Sequence, residues 1–293
     1  MLSDAEVTVA AQRIAPYARH TPVLRATVDG RPVVLKLEQL QLTGSFKVRG
    51  ALNALLSARP ERVVTASGGN HGLAVATAAA LLDVPATVYT PESVPDGKAR
   101  RIEATGAKLI RHGATYAEAA AAAVVVPDAM YLPAYDHPLV VAGQGTCAAE
   151  VVAEVPAVDA LVVAVGGGGL AAGTVLGSGG RQVVAVEPTG CSALHAALAA
   201  GAPVDTPVSS VAASALGATR VGDLPFSLLR DATSVLVDDA RILAARDRLW
   251  EEFRLAVEPG GAVPFAAFLA GLVPGDLPCL IVCGANTDWS PGD

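Results

Sequence analysis

The run Gly44-Ser45-Phe46-Lys47 carries a lysine on a glycine-bearing turn. An apolar, β-branched stretch at residues 33–37 precedes the turn, and a stretch rich in Ala and Leu begins at Ala51. β-branched runs of this length favour a strand, and Ala and Leu favour a helix. The lysine is therefore predicted at a junction between a strand and a helix, where helix amides and a closely approaching backbone favour an anionic ligand.

Two further glycine-bearing turns lie at predicted junctions of the same kind. They read Ser67-Gly68-Gly69-Asn70-His71 and Gly166-Gly167-Gly168-Gly169-Leu170. Glycine lets the backbone approach a ligand closely, and amides at the start of a helix attract phosphate or carboxylate groups. Three such turns in one chain predict that it binds an anionic small molecule.

Short β-branched runs alternate with Ala-rich segments along the whole chain. This alternation predicts an α/β fold with a mostly parallel sheet covered by helices on both faces. Helices are predicted at residues 95–104 and 116–126. Strands are predicted at residues 33–37, 63–66, 86–89, 108–110, 160–165, 182–186 and 279–283. Neither a repeat nor a flexible linker marks a domain boundary.

Composition narrows the classes of function. The 293 residues carry a net charge of −7, which argues against a nucleic-acid or anionic-membrane partner and favours a small-molecule ligand. The stretch at residues 160–180 has no charge and is long enough to raise the question of a membrane span. Its four consecutive glycines would each cost roughly 1 kcal/mol in a helix, so no span is expected there.

The cysteines predict a reducing compartment. They lack the paired spacing of a zinc site, and no secretory leader is recognised: Cys147, Cys191, Cys279 and Cys283. We expect them to be reduced, in the cytoplasm.

Two patterns leave alternatives open at this point. Lys47 could be a solvated residue, because Schiff-base chemistry also needs a fixed amine whose pKa is lowered by burial or a neighbouring cation. Gly166, Gly168 and Ala171 match the dinucleotide fingerprint, and Glu187 ends the next predicted strand. A nicotinamide or flavin oxidoreductase is therefore the alternative from another class of enzyme.

Several runs, in chain order, resemble the serine/threonine dehydratases. They are SFKVRGA at 45–51, SGGNH at 67–71, GQGT at 143–146, GGGG at 166–169, EPGGA at 258–262 and CGAN at 283–286. The dehydratases belong to the tryptophan-synthase-β-like, fold type II group of pyridoxal-phosphate enzymes. The resemblance implies two open, twisted, mostly parallel α/β sheets with the cofactor in the cleft between domains. It places a larger domain at residues 1–60 and 140–293 and a smaller inserted domain at residues 61–139.

The resemblance also implies a role for each matched position. Lys47 is expected to hold pyridoxal 5′-phosphate and to act as the base at the substrate's α-carbon. Phe46 is expected against the pyridine ring, Asn70 at its 3-oxygen and Cys283 beside its nitrogen. Backbone amides of the third turn are expected to bind the phosphate: Gly166, Gly167, Gly168, Gly169 and Leu170. The substrate is expected to contact Ser67, Gly68, Asn70 and His71, although a capping or packing role is weighed equally for His71.

Two departures from the family pattern shape the predicted activity. Residues 211–217 lack the aspartate of the family's metal site, so no metal is expected. Serine racemases of the family carry a serine at the position of Gly68, and its loss favours elimination over two-base racemisation. The dehydratases commonly carry alanine there, so slightly more room is expected beside the substrate.

The predicted activity is the release of a 2-oxo acid and ammonia from a 3-hydroxy amino acid, serine or threonine. A neutral Cys283 thiol is a weak donor, which favours prompt loss of the hydroxyl. A serine racemase, a β-replacement enzyme and a binding protein without turnover stay open, and the preferred substrate and its enantiomer are left undecided. Family habit predicts a homodimer. The carboxylates of Glu187 and Glu258 are expected to be solvated.

Overall fold

A computed structural model describes residues 2–287 as two sheets with helices packed on them. The strands are β1 (Val23–Val28), β2 (Arg31–Lys36), β3 (Val63–Ala66), β4 (Ala86–Thr90), β5 (Lys108–Arg111), β6 (Met130–Tyr131), β7 (Ala160–Ala164), β8 (Gln182–Pro188), β9 (Thr233–Val237) and β10 (Pro278–Ile281).

The helices connect these strands and cover both sheets. They are α1 (Asp4–Ile14), α2 (Lys47–Ala58), α3 (Asn70–Leu81), α4 (Asp96–Glu103), α5 (Tyr116–Val124), α6 (Pro138–Glu154), α7 (Gly169–Gly177), α8 (Ala193–Ala200), α9 (Ala213–Leu216), α10 (Asp223–Leu229), α11 (Asp239–Phe253) and α12 (Pro259–Leu269). Two short 3₁₀ turns, Glu38–Leu40 and Leu42–Gly44, lie between β2 and α2.

Both sheets are mostly parallel, as the sequence predicts. The larger sheet has the order β1-β2-β10-β7-β8-β9, and only its β1–β2 pair is antiparallel. Asp29 and Gly30 join that pair, and their φ angles of 50° and 77° suit a tight hairpin turn. The smaller sheet has the order β5-β4-β3-β6 and is parallel throughout. The predicted α/β class is confirmed.

The inner strands and the edge strand β5 are predicted from the sequence, and the other three edge strands are not. The seven predicted strands correspond to β2, β3, β4, β5, β7, β8 and β10. β1, β6 and β9 were missed, and each lies at an edge of its sheet. Their residues are partly buried or exposed, apart from one at the end of β1 and one at the end of β9. A half-buried edge strand lacks the continuous apolar run that marks a buried parallel strand.

The uncharged stretch at residues 160–180 forms β7, the tetraglycine turn and α7. This arrangement agrees with the prediction of a strand, a loop and a helix start. No helix within residues 2–287 combines the length and apolar composition that a membrane span needs.

Helix α2 packs between helices of both sheets. It contacts α6 on one side and α3 on the other. Its residues Val48 and Leu52 share an apolar cluster with Val63 of β3 and Val75 of α3.

All strands of the smaller sheet lie within residues 61–139, and all strands of the larger sheet lie outside that range. The domain limits themselves stay a prediction.

A buried ionic network holds the start of α2. The Arg49 side chain is 1% exposed and donates to both oxygens of Glu38, at 2.7 and 2.8 Å, and to both oxygens of Glu150, at 2.7 and 2.8 Å. Lys36 of β2 donates to Glu150 at 2.6 Å. Charges buried in this way are tolerated only when they are paired and hydrogen-bonded. The network therefore fixes α2 relative to β2 and α6.

Arg49→Met is expected to lower the free energy of unfolding by about 3–5 kcal/mol, because it leaves the carboxylate of Glu38 buried without its cation. Urea unfolding measures this loss. The matched control is Asp29→Asn, which removes an exposed ion pair with Arg248 and should leave the urea midpoint unchanged. Equal effects of the two substitutions would contradict the structural role of the network.

Candidate active site

The turn that carries Lys47 is tied to the end of β10. Gly44 has a φ of +71°, and Ser45 forms an antiparallel bridge with Gly284. The amide of Phe46 donates to the carbonyl of Cys283 at 3.2 Å, and the amide of Ala285 donates to the carbonyl of Gly44 at 2.9 Å. These bonds place the lysine at the carboxyl end of the central strands, where α/β sheets bind their ligands.

The side chain of Lys47 is confined by its neighbours. Its Nζ donates to the carbonyl oxygen of Ala134 at 2.9 Å and lies 5.1 Å from the centre of the Phe46 ring. Burial lowers the pKa of Lys47 to about 8, against the opposing influence of Cys283 and Glu258. The amine therefore meets the two conditions for a nucleophile, a fixed position and an appreciable neutral fraction.

The tetraglycine turn lies between β7 and α7 and is covered by Tyr135. Gly168 has a φ of +92°, which favours glycine strongly. A Cβ atom at Gly167 would lie 2.2 Å from the Tyr135 ring, and one at Gly169 would lie 2.9 Å from the Cβ of Tyr135. Within residues 2–287 no side chain caps α7 at Gly168. The turn thus presents helix amides to the cleft, as an anion site requires.

Asn70 is held by hydrogen bonds on both sides of its amide. Its Nδ2 donates to Glu258 Oε1 at 2.7 Å, and its Oδ1 accepts from Asn286 Nδ2. Asn286 Nδ2 also donates to the carbonyl oxygen of Thr43 at 2.9 Å. The two partners determine which way the amide points. Among the described residues the second N–H of Asn70 has no acceptor, so it is available to a ligand in the cleft.

Cys283 and Glu258 stand at the base of the cleft. The thiol is 3% exposed and donates to the carbonyl oxygen of Gly260 at 3.5 Å. Burial raises the pKa of the Cys283 thiol, and the carboxylate of Glu258 raises it further. Cys283 is therefore a neutral thiol. Burial also raises the pKa of Glu258 to about 7.

The expectation that Glu187 and Glu258 are solvated is wrong. Glu187 is 0% exposed and Glu258 is 3% exposed. Glu187 accepts hydrogen bonds from the amides of Leu194 and His195, both at 2.8 Å, and so caps the start of α8. Glu258 opens α12 and binds Asn70. Each carboxylate satisfies backbone or side-chain donors that burial would otherwise leave unpaired.

His71 packs beneath the cleft. It is 4% exposed, and its Nε2 lies 3.0 Å from the carbonyl oxygen of Leu132, to which it donates. Burial lowers the pKa of His71 to about 3, so the imidazole is neutral. This geometry favours the packing role of the two that the sequence leaves open. In the same loop Ser67 Oγ accepts from the amide of Gly69 at 3.2 Å.

Gly68 does not provide the extra room that the sequence predicts. A Cβ atom at this position would lie 2.5 Å from Cγ2 of Val94. The space is filled by a valine from the turn after β4. A sequence pattern around residue 68 carries no signal for this contact, because Val94 approaches from a different segment.

One cavity brings together most of the predicted site residues. It encloses about 450 Å³, its open mouth included, and is lined by Phe46, Lys47, Asn70, Tyr135, Gly166, Gly167, Gly168, Gly169, Leu170, Glu258 and Cys283, with Ala164, Ala215 and Leu216. A second cavity adjoins it and is lined by Gly68, Gly69, Asn70 and Glu258, with Leu73, Lys98, Arg101, Ser214 and Asn286. Asn70 and Glu258 line both cavities. Tyr135 and Glu258 also line the first cavity, although neither was predicted from the sequence as a site residue.

A family described as "Pyridoxal-phosphate dependent enzyme" matches residues 14–284. The chain belongs to this family. The resemblance seen in the sequence motifs is thereby confirmed, and so is the cofactor, pyridoxal 5′-phosphate.

Named relatives and solved structures are similar to this chain over most of its length. An L-threonine ammonia-lyase of Geobacter sulfurreducens is 39% identical over 275 residues, which cover 88% of this chain and 68% of the relative. The structure of maize serine racemase superposes with a TM-score of 0.93 at 31% identity, covering 98% of this chain and 94% of the racemase. The threonine deaminase of T.th. superposes with a TM-score of 0.92 at 33% identity, covering 99% of this chain and 100% of the deaminase. The fold is the type II fold of pyridoxal-phosphate enzymes.

The cleft fits this cofactor. A partly desolvated amine, an uncapped helix start on a glycine turn and a neutral thiol line the same cavity. A dinucleotide site would need the carboxylate of Glu187 to bind the ribose. That carboxylate is buried and accepts from amides at the start of α8, which argues against the dinucleotide alternative. Within residues 2–287 no three metal-ligating side chains lie close enough to hold an ion.

Glu258→Gln is expected to stabilise the cofactor-free protein increasingly as pH rises. The folded pKa of Glu258 is about 7, above its ordinary value of 4.5, so its burial costs stability that grows from pH 4.5, where the unfolded chain ionises, to about pH 7, where the folded protein also ionises. Below pH 4.5 the group is protonated in both states and contributes nothing. The stability difference between variant and wild type should therefore grow by about 3 kcal/mol between pH 4.5 and 8.

Urea unfolding at several pH values measures this difference. Glutamine keeps an oxygen that accepts from Asn70, and the buried Glu187 contributes equally to both proteins and cancels. A difference that does not vary with pH would contradict the raised pKa of Glu258.

Proposed function

We propose that the chain is a dehydratase that converts a 3-hydroxy amino acid, L-serine or L-threonine, into a 2-oxo acid and ammonia. One observation carries the proposal: the desolvated amine of Lys47 lines the same cleft as the tetraglycine turn and the neutral thiol of Cys283. Water is lost from the α- and β-carbons and later re-enters at the α-carbon as ammonia departs. Similarity to an L-threonine ammonia-lyase supports this reaction.

Each side of the cleft suits one part of the cofactor. We assign the aldehyde to the Lys47 amine, the ring face to Phe46, the 3-oxygen to the second N–H of Asn70 and the ring nitrogen to Cys283. The phosphate is assigned to the amides of residues 166–170, at the positive end of α7. Bound pyridoxal phosphate withdraws electrons from the α-carbon of an attached amino acid, which makes its proton removable.

Lys47 is the proposed base at the substrate's α-carbon. A base works best when its pKa lies near the working pH, and burial brings the pKa of Lys47 to about 8. The carbonyl oxygen of Ala134 accepts from the amine at 2.9 Å, so the neutral amine keeps its lone pair directed away from that carbonyl. The segment around Ala134 thus orients the base.

The thiol of Cys283 favours elimination over transamination. A neutral thiol is a weak hydrogen-bond donor and does not hold a pyridine nitrogen in its protonated form, as a carboxylate would. A pyridine ring bound beside this thiol would withdraw electrons only moderately, which would favour loss of the β-hydroxyl over transamination. The neighbouring carboxylate of Glu258 raises the pKa of the Cys283 thiol further, which keeps the thiol neutral.

The substrate carboxylate is assigned to the loop at residues 67–70. This loop precedes α3, whose start at Gly69 has no side-chain cap within the described part of the chain. Ser67, Gly68 and Asn70 are the proposed contacts, and His71 supports them from beneath. Helix amides at such a start favour a carboxylate.

Racemisation of serine is the second candidate, because the fold is as similar to a serine racemase as to a threonine deaminase. Two-base racemisation needs a second proton donor on the face of the substrate opposite Lys47. Gly68 brings no side chain to the loop, and Val94 occupies the space that one would need. Elimination is therefore the better assignment, and β-replacement would share its first steps.

We also propose a cytoplasmic homodimer. All four cysteines are buried and none forms a disulfide, which suits a reducing compartment. The family resemblance supports the dimer, and sedimentation velocity of the purified protein tests it: a single species with the mass of one chain would overturn this part of the proposal.

Lys47→Ala is expected to abolish 2-oxo acid release from L-serine and L-threonine, by about 10³-fold or more, because the cofactor loses its attachment and the substrate its base. The visible absorption of the bound cofactor should shift at the same time. The control is Lys108→Ala, an exposed lysine on β5, which should match wild type in both assays. Full turnover by Lys47→Ala would overturn the proposed function.

A further inference from the structure

Gly68 and Val94 fit each other so closely that residue 68 has no space for a side chain while Val94 is present. A Cβ atom built on Gly68 would lie 2.5 Å from Cγ2 and 3.4 Å from Cβ of Val94. The first distance is shorter than real contacts of a Cβ atom, so a side chain at residue 68 must displace the valine. Val94 is itself 8% exposed and has little free space to move into.

The backbone of Val94 is held in place. The valine lies in the turn between β4 and α4, where its amide donates to the carbonyl of Pro91 at 3.2 Å. The guanidinium of Arg111 donates to the carbonyl of Val94, also at 3.2 Å. The amide of Glu92 donates to the carbonyl of Gly113 at 2.9 Å. These bonds fasten the turn to the end of β5, so the valine does not yield as a flexible surface side chain would.

The loop that contains Gly68, the other member of the pair, is also held in place. The amide of Ser67 donates to the carbonyl of Tyr89 at 3.0 Å, which fastens the loop to β4. Two positions after Gly68, Asn70 is fixed by Glu258 and Asn286. A larger residue at position 68 would therefore push either the valine turn or the substrate-binding loop out of place.

We propose that Gly68 and Val94 form a matched pair that sets the size of the cleft beside the substrate-binding loop, which makes Val94 a specificity-determining residue. The inference rests on the proposed function, because it assigns the loop at residues 67–70 to the substrate. Val94 supplies, from a neighbouring segment, the bulk that a side chain at residue 68 would otherwise supply. Gly68 lines the second cavity and Val94 lies directly behind it, so shortening Val94 should extend that cavity behind Gly68, and a side chain at residue 68 should refill the space.

A double-mutant cycle on the holoenzyme tests the pair. The variants are Gly68→Ala, Val94→Ala and the double substitution, and the readouts are the Kd of L-serine from the absorbance of the bound cofactor and kcat/KM for 2-oxo acid release. Gly68→Ala should weaken L-serine binding by about tenfold, because the added methyl group overpacks the loop. The double variant should bind within about threefold of Val94→Ala, a coupling of several-fold.

Substrate size provides a readout that a purely structural role would not move. Val94→Ala should raise binding of a bulkier 3-hydroxy amino acid, L-threo-3-phenylserine, relative to L-serine by about tenfold, the effect of one or two methyl groups in a pocket. Adding Gly68→Ala to that variant should reverse the gain. The control is Val125→Ala, a 73% exposed valine that should neither rescue Gly68→Ala nor change the substrate ratio.

Additive effects of the two substitutions on L-serine binding would overturn the inference, and so would an unchanged substrate ratio in Val94→Ala. A wild-type protein that binds L-serine without releasing a 2-oxo acid would instead overturn the proposed function. The binding cycle would still decide on the pair in that case.

Discussion

The site depends on a short set of backbone hydrogen bonds between residues 44–46 and residues 283–285. The bridge between Ser45 and Gly284, with its flanking bonds, joins the start of α2 to the end of β10. Through it, Lys47 and Cys283 come to line one cavity although they are far apart in the chain. The buried network around Arg49 fixes the same helix from the other side. The first turn of α2, which carries Lys47, is thus fixed on both sides.

Burial is the common cause of the unusual protonation states in the cleft. It lowers the pKa values of Lys47 and His71 and raises those of Glu258 and Cys283. Each shift favours the neutral form, as expected where water is largely excluded. A neutral Lys47 amine could attack the aldehyde carbon of the cofactor, and a neutral Cys283 thiol would not protonate a ring nitrogen beside it. The acid–base properties that a dehydratase needs therefore follow from packing.

Much of the fold and of the site is predictable from the sequence, because turns and buried strands leave local patterns. The glycine turns, Lys47, Asn70 and Cys283 belong to such patterns. Glu258 and Val94 do not: the first looks like a solvated residue before a Pro-Gly turn, and the second is one apolar residue in a loop. Both act through contacts with the loop at residues 67–70, distant in sequence. The edge strands β1, β6 and β9 were not predicted from the sequence. Their residues are mostly half-buried or exposed, which weakens the apolar pattern that marks a strand.

The proposed function requires a covalent link between Lys47 and the aldehyde of pyridoxal phosphate. Borohydride reduction of the purified holoprotein, followed by proteolysis and mass spectrometry, tests it most directly. The reduced pyridoxyl group should be found on the peptide that contains Lys47. A label on Lys36, Lys98 or Lys108, or the absence of any label on a protein that retains its cofactor, would contradict it.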